Sequence, residues 1–324
     1  MDQVDLARFE LIVHQTHPPV VQIELVAVIL NVVHNICTHA VNLPFVSESK
    51  VYLADNLAIL KSLGDSSVDL IYIDPPFNTG RVQERKTRKS EQSETGTAGF
   101  AGKHYQQVVS RIMAYDDAFT DYWEFLLPRL EEAKRLLKET GTLYLHLDYR
   151  EAHYAKVMLD GLFGRENFLN EIIWAYDYGG KSKSNWPSKH DTILVYVKDS
   201  KKYYFDSETV DREPYMAPGL VTPEKAERGK LPTDVWWHTI VSPTGKEKTG
   251  YPTQKPKGIL RRIIQASSKP GDLVLDFFAG SGTTGSVAAE LGRSFILIDK
   301  SKEATDVIRT RLSEQKVPFS FHEK

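Results

Sequence analysis

Ile71–Gly80 reads IYIDPPFNTG. Leu70–Ile73 is an apolar run with β-branched residues, suited to a buried strand, and it delivers an acid, two prolines and an aromatic to the strand end. Pro75 and Pro76 have no N–H for a sheet ladder and hold φ near about −65°, so the chain leaves the sheet in a stiff, fixed direction. Asp74 and Phe77 are therefore held in place. An acid and a ring face on one rigid turn suit a planar base bearing an exocyclic amine, with the acid or a nearby carbonyl accepting the amine hydrogens and Phe77 stacking on the ring. A proline-terminated strand followed by an ordinary loop is the plainer reading of the same residues.

A second element late in the chain decides between them. Leu273–Phe278 reads as a strand that runs into AGSGTTG, residues 279–285, with a helix expected from Val287 to Leu291. A glycine-rich strand-to-helix turn brings backbone close to a nucleotide-like ligand. Phe295–Ile298 is the next strand, and Asp299 ends it about 20 residues on, where a carboxylate can take ribose hydroxyls. GSGTTG also satisfies the dinucleotide fingerprint of a nicotinamide oxidoreductase. That fold needs further βαβ units after the turn, and only the strand-poor 301–324 remains. Asp276, Phe277 and Phe278 suit a ligand with an adenosine and a charged amino-acid tail better than a pyrophosphate.

Between the two motifs the pattern alternates. VYLAD at 51–55 is a strand ending in Asp55, a short helix carries Leu57, Leu60 and Leu63, and a longer helix spans 122–138, stopped by Gly141. TLYLHLD at 142–148 is a strand, 149–162 a helix, and 168–176 and 191–198 are strand-like. Strand, helix, strand with short links predicts an α/β, doubly wound, mostly parallel sheet covered on both faces. The polar stretch 81–117, with Arg85 and Arg88 among its cations, reads as a long loop that contacts phosphates or closes over a substrate, or else as a solvated insertion. In 174–250 periodicity fades, and Lys181, Lys183 and Lys189 interleave with Tyr178, Trp186 and Trp237. Such a surface holds phosphates and packs against bases, although local acids dilute the signal.

Composition bounds the rest. The 324 residues are 41% hydrophobic, enough for a substantial core, and 41 Lys and Arg against 43 Asp and Glu leave a net charge of −2. Nucleic-acid binding must then come from local patches. One cysteine, Cys37, cannot form an intramolecular disulfide and points to a reducing, cytoplasmic setting; no metal-ligand spacing is seen, so no metal is expected. Residues 1–48 read as a helical appendage for packing or dimer formation, and the apolar run 20–33 is too short and polar to span a membrane.

DPPF at 74–77, FAGSG at 278–282 and YPTQKP at 251–256 together resemble the S-adenosylmethionine-dependent DNA amino-methyltransferases, and their order resembles the beta group of that family. The resemblance covers roughly 49–312. It implies a Rossmann-like sheet with circularly permuted motif order, an inserted target-recognition region at 174–250, a catalytic half at 49–173 and a cofactor half at 251–324. Asp74, Pro75, Pro76 and Phe77 would form the base site. Phe278, Gly280, Gly282 and the adjoining Asp276, Phe277 and Thr283 would line the cofactor, with Asp299 on its ribose, Asp55 on its adenine, and Thr253 and Lys255 near its methionine end. Lys181, Lys183, Lys189, Arg85 and Arg88 would meet duplex DNA. The family usually has Tyr where Phe77 stands, which keeps stacking but removes a hydroxyl. Its partners include a second copy of the chain and a cognate restriction endonuclease, and it works in the cytoplasm on the nucleoid.

The resemblance implies in-line methyl transfer to a flipped base. Asp74 at the head of the turn points to adenine N6, since cytosine-N4 enzymes usually carry Ser there. Cytosine-N4 methylation, an RNA or protein-amide methylase and a non-catalytic DNA-binding module stay open on the sequence.

Overall fold

The computed structural model describes residues 48–78, 81–98, 104–117, 122–179, 181–242 and 244–324, and the side chains of 81–117 lie outside that description. Residues 1–47, with the expected dimer helix, lie outside it too. From Ser47 on, the chain is one compact unit.

Its frame is a nine-stranded sheet. In chain order the strands and helices are β1 (Lys50–Leu53), α1 (Asn56–Ser62), β2 (Val68–Ile73), a separate pair β3 (Arg81–Ala98) and β4 (His104–Asp117), then α2 (Tyr122–Leu136), β5 (Leu137–Leu147), α3 (Ala152–Phe163), β6 (Phe168–Ala175), β7 (His190–Val197), α4 (Pro223–Arg228), β8 (Val235–Trp237), α5 (Lys257–Ser267), β9 (Leu273–Asp276), α6 (Thr283–Glu290), β10 (Ser294–Asp299), α7 (Lys302–Glu314) and β11 (Ser320–Glu323). The sheet order is β11-β1-β10-β9-β2-β5-β7-β6-β8. Every neighbouring pair is parallel except β5–β7 and β6–β7.

Side chains alternate across this sheet and so build two cores. Ile71, Ile73, Leu143, Leu145 and Leu275 face α1, α2 and α3, through Leu60, Leu126, Leu130 and Leu159. Leu70, Tyr72, Tyr144, Val274 and Leu297 face α5, α6 and α7, through Ile259, Ile263, Val287 and Ile308. The near-continuous apolar strands of the sequence are what a sheet covered on both faces requires.

The order also places the site. β9 continues through α6 to β10 on one side, while β2 continues through α2 to β5 on the other. The two strands pair in parallel, Leu70 with Val274 and Ile71 with Leu275. A crevice opens outside the carboxyl ends of strands at such a reversal of order. The DPPF turn and the AGSG turn, some 200 residues apart in sequence, leave the sheet side by side there.

Several expectations are corrected. Residues 81–117 contain an antiparallel strand pair, Arg81–Ala98 against His104–Asp117, where a loop was expected. Backbone pairing needs no apolar face, so a polar stretch carries no period-two signal of it. Helix α2 ends at Leu136, and Gly141 is no helix stop but a residue inside β5. A Cβ there would lie 2.8 Å from the Leu137 side chain, and the β2–β5 register shifts beside it, as at a bulge. Helix α6 begins at Thr283 rather than near Val287. The stretch 174–250 is not wholly an insert: β7 lies between β5 and β6, and β8 pairs with β6. The C-terminal tail adds β11 to the sheet edge.

Candidate active site

The crevice holds an open cavity whose walls come from both motifs and from YPTQKP. Asp74, Pro75, Pro76 and Phe77 line it at the end of β2; Asp276, Phe277, Phe278, Gly280 and Thr283 at the end of β9; Asp299 at the end of β10; Asp55 after β1; Thr253 and Lys255 before α5. Gly282 does not line it. Its φ is +69°, and a Cβ there would meet Ile308 Cγ1 at 2.8 Å, so this glycine serves the contact between the turn and α7.

Asp74 is largely buried, and its two oxygens differ. Lys255 Nζ lies 2.7 Å from Asp74 Oδ2 and 4.9 Å from the centre of the Phe77 ring. Asp74 Oδ1 is buried with no hydrogen-bond partner. A buried acceptor left open costs free energy, so an N–H brought to this oxygen is stabilised there. The sequence put Lys255 near the tail of the cofactor; in the structure it is the counter-ion of Asp74.

Asp299 braces the glycine turn. Its Oδ2 accepts the Gly280 N–H at 2.8 Å and its Oδ1 accepts the Ser301 N–H at 2.9 Å. Asp276 likewise accepts the Phe278 N–H at 3.0 Å and the Thr284 hydroxyl at 2.6 Å. Asp55 caps α1 by accepting the Leu57 N–H, and its other oxygen pairs with Arg129 at 3.2 Å. All three carboxylates are therefore committed to shaping the walls, with lone pairs to spare for a ligand.

Burial raises the pKa of Asp299, and it pushes Asp276 up to about 7, with the charges of Asp74 and Asp299 adding to it against the two hydrogen bonds. A site rich in buried carboxyls favours a bound cation. The shift also has a measurable sign. The folded protein holds the Asp276 proton above the pKa of about 4 that this group has when unfolded, so its contribution to stability is full below that pH and is lost as pH rises towards 7. Urea midpoints measured from pH 4 to pH 8 are expected to fall less in Asp276→Asn than in the parent; equal slopes would mean the carboxyl is not held neutral.

Some wall residues carried no motif. Phe125 and Phe278 have ring centres 5.8 Å apart, and Arg129 lies 4.1 Å over the Phe125 ring. Arg129 also donates to Asn56 Oδ1 at 2.5 Å, and Asn56 Nδ2 donates to the Phe277 carbonyl at 2.7 Å, tying α2 to the end of β9. The available signal was an arginine within the apolar stripe of Phe125, Leu126 and Leu130. Tyr251 packs against Gly280. Lys181 and Lys183 are exposed and Lys189 half-buried, all three away from the cavity walls, in the segment between β6 and β7. Arg85 and Arg88 lie on β3, whose side chains are outside the description.

A doubly wound sheet with an acid-proline-proline-aromatic turn beside a glycine turn defines a methyltransferase of the Rossmann-like class. Residues 68–310 match the DNA methylase family, and the chain belongs to it. It is 33% identical over 268 residues to DNA adenine methyltransferase YhdJ of Escherichia coli (strain K12), covering 80% of this chain and 81% of that one. To type II methyltransferase M.HpaI of Haemophilus parainfluenzae it is 33% identical over 273 residues, covering 83% and 75%. Among solved structures, the M1.HpyAVI–SAM complex matches with a TM-score of 0.53 at 24% identity, over 81% of this chain and 98% of that one. PvuII DNA methyltransferase (cytosine-N4-specific) matches with 0.54 at 15% identity, over 85% and 95%. These two likenesses speak for the fold, which does not separate adenine from cytosine.

Proposed function

We propose that this chain transfers a methyl group from S-adenosylmethionine to the N6 amine of an adenine flipped out of duplex DNA at a specific sequence. The observation that carries this reading is the buried, unpartnered Asp74 Oδ1, set beside the Phe77 ring and opposite the glycine turn. S-adenosylmethionine fits the residues present: aromatic rings at Phe125 and Phe278, close backbone at Gly280, and buried carboxyls suited to a cation. Phe278, Gly280, Ser281 and Asp299 would hold it, with Asp276 and Thr283 shaping the turn. When bound, it supplies an already activated methyl group on a sulfonium.

The residues of the chain do the rest. Asp74 Oδ1 accepts one hydrogen of the target amine, which orients the nitrogen and stabilises the positive charge that builds on it. Lys255 holds the other oxygen and so fixes the carboxylate plane. Phe77 stacks on the flipped base, replacing part of the stacking lost from the duplex, worth about 1–3 kcal/mol. Adenine is favoured over cytosine by Asp at position 74 and by the likeness to YhdJ.

Sequence reading is assigned to the exposed part of 174–250. The carboxyl end of β6, the amino end of β7 and the carboxyl end of β8 share the edge of the sheet that carries Asp74. Exposed Tyr178, Trp186 and Trp237, with Lys181, Lys183 and Lys189, stand on or beside that edge. A cognate endonuclease is a further proposal, from the likeness to M.HpaI, as is a homodimer through residues 1–48. No helix among the described residues is long and apolar enough to cross a membrane, and work on the nucleoid is a further proposal that follows from the proposed DNA substrate.

Mass spectrometry of nucleosides from duplex DNA incubated with the protein and S-adenosylmethionine tests the reading. N6-methyladenine is expected; N4-methylcytosine would transfer the assignment to the cytosine enzymes, and no methylated nucleoside would end it.

A further inference from the structure

Behind the base pocket lies a chain of polar side chains that the reaction as described does not use. Tyr176 donates its hydroxyl to Asp191 Oδ1 at 3.0 Å, Asp191 Oδ2 lies 3.2 Å from His146 Nε2, and His146 Nδ1 lies 2.8 Å from the Tyr72 hydroxyl. The four residues come from the end of β6, the start of β7, β5 and β2, so the chain crosses four adjacent strands on one face of the sheet. His146 is fully buried, and Asp191 and Tyr72 nearly so.

One proton arrangement satisfies every member. Burial alone would raise the pKa of Asp191, but the hydrogen bonds from His146 and Tyr176 and the charge of Lys255 outweigh it and hold the carboxyl ionised. An ionised Asp191 accepts from both sides, which puts the imidazole proton on Nε2 and leaves Nδ1 to accept from the Tyr72 hydroxyl. A network this fully paired fixes side-chain positions, which an apolar core of the same volume would not do.

Its two ends give it a use. Tyr72 lines the cavity two residues before Asp74; the His146 ring lies 6.0 Å from the Phe77 ring, and Trp174 packs edge-on against His146 at 5.5 Å, so the imidazole stands directly behind the stacking ring. At the far end, Tyr176 and Asp191 bracket the segment 177–190, whose described residues are mostly exposed and include Tyr178, Lys181, Lys183, Trp186 and the half-buried Lys189. The Tyr176 N–H also donates to the Lys189 carbonyl at 2.9 Å, so the root of that segment is closed by a backbone bond and a side-chain bond.

We infer that Tyr176, Asp191, His146 and Tyr72 are positioning residues that tie the seating of the segment 177–190 on DNA to the placement of the target base against Asp74 and Phe77. This rests on the base-pocket reading above. None of the four need touch the reacting atoms. Their effect runs through Tyr72 in the cavity wall and through His146 behind the Phe77 ring, where a displacement of the order of 1 Å costs about a hundredfold in rate.

The test uses the whole chain, with duplex DNA bearing the sequence found methylated in an expressing host. Tyr72→Phe and Tyr176→Phe each remove one hydroxyl and almost no volume. Each is expected to lower kcat about ten- to a hundredfold, with S-adenosylmethionine affinity within about twofold of the parent and KM for DNA little changed. Asp191→Asn can keep the chain with the opposite proton order and is expected to stay closer to the parent than Asp191→Ala. Nitrogen chemical shifts of the His146 imidazole should show Nε2 protonated and Nδ1 bare, with Tyr72→Phe moving Nδ1. A purely structural role would instead lower the fraction of protein that binds S-adenosylmethionine and leave kcat per binding-competent molecule unchanged. That result in both Phe variants, or an imidazole protonated on Nδ1, overturns the inference. A parent that methylates cytosine overturns the adenine reading alone, because the rate ratios still judge the network. A parent without transfer overturns the proposed function, and the imidazole shifts still judge the chain of bonds.

Discussion

Asp74→Ala is expected to lower methyl transfer by about 10²–10³-fold, the usual effect of deleting one group that stabilises transition-state charge. Two losses coincide. The target amine has no acceptor at Oδ1, and Lys255 loses its 2.7 Å counter-ion and becomes free to move over the Phe77 ring. Binding of S-adenosylmethionine should remain close to the parent, because the glycine turn is held by Asp299 and Asp276 through backbone N–H groups that do not involve Asp74. Single-turnover transfer to DNA, paired with calorimetry of cofactor binding, separates the two quantities. Parent-like transfer would remove Asp74 from the chemistry; loss of cofactor binding in step with rate would mean the variant has lost the pocket as a whole. Asp74→Asn is the finer probe, since it keeps an acceptor oxygen but breaks the ion pair.

Gly282→Ala should act through a different route from the one its motif suggests. In a GxG turn the second glycine is expected to make room for the ligand, yet here its missing Cβ faces Ile308 of α7, and the cavity wall is made by Gly280 and Ser281. At φ +69° an alanine is strained, at about 1–3 kcal/mol, and its Cβ would sit 2.8 Å from Ile308 Cγ1. The turn must shift to relieve both, and it carries the Gly280 N–H away from Asp299. The expected result is a thermal midpoint lowered by several degrees together with S-adenosylmethionine affinity lowered at least about tenfold, one decade being about 1.4 kcal/mol. Gly161→Ala is the control, because nothing lies within 4 Å of its added Cβ and α3 tolerates it. If Gly282→Ala loses stability but binds S-adenosylmethionine as the parent does, the turn is a packing device only and the cofactor is held elsewhere.

The sequence by itself determined the layers and the two turns that carry the chemistry. Buried strands without a polar face, as in Leu70–Ile73 and Leu273–Phe277, force a sheet covered on both sides, and a proline pair fixes the acid and ring it separates. These are local properties, set by side-chain period and by the covalent limits on φ, so they are legible residue by residue. The resemblance of three short motifs added the methyl donor and the base. What the tertiary structure alone decided is everything that depends on strand order. Pairing of β2 with β9 sets Asp74 beside the glycine turn. Lys255 becomes the partner of Asp74, Asp299 braces Gly280, and Gly282 faces α7. His146 and Asp191 read as ordinary strand residues in the chain, and they meet only because β7 inserts antiparallel between β5 and β6. Contacts between strands so distant in sequence leave no periodic or local trace, because they are chosen by the packing of whole elements and not by the residues on either side of them.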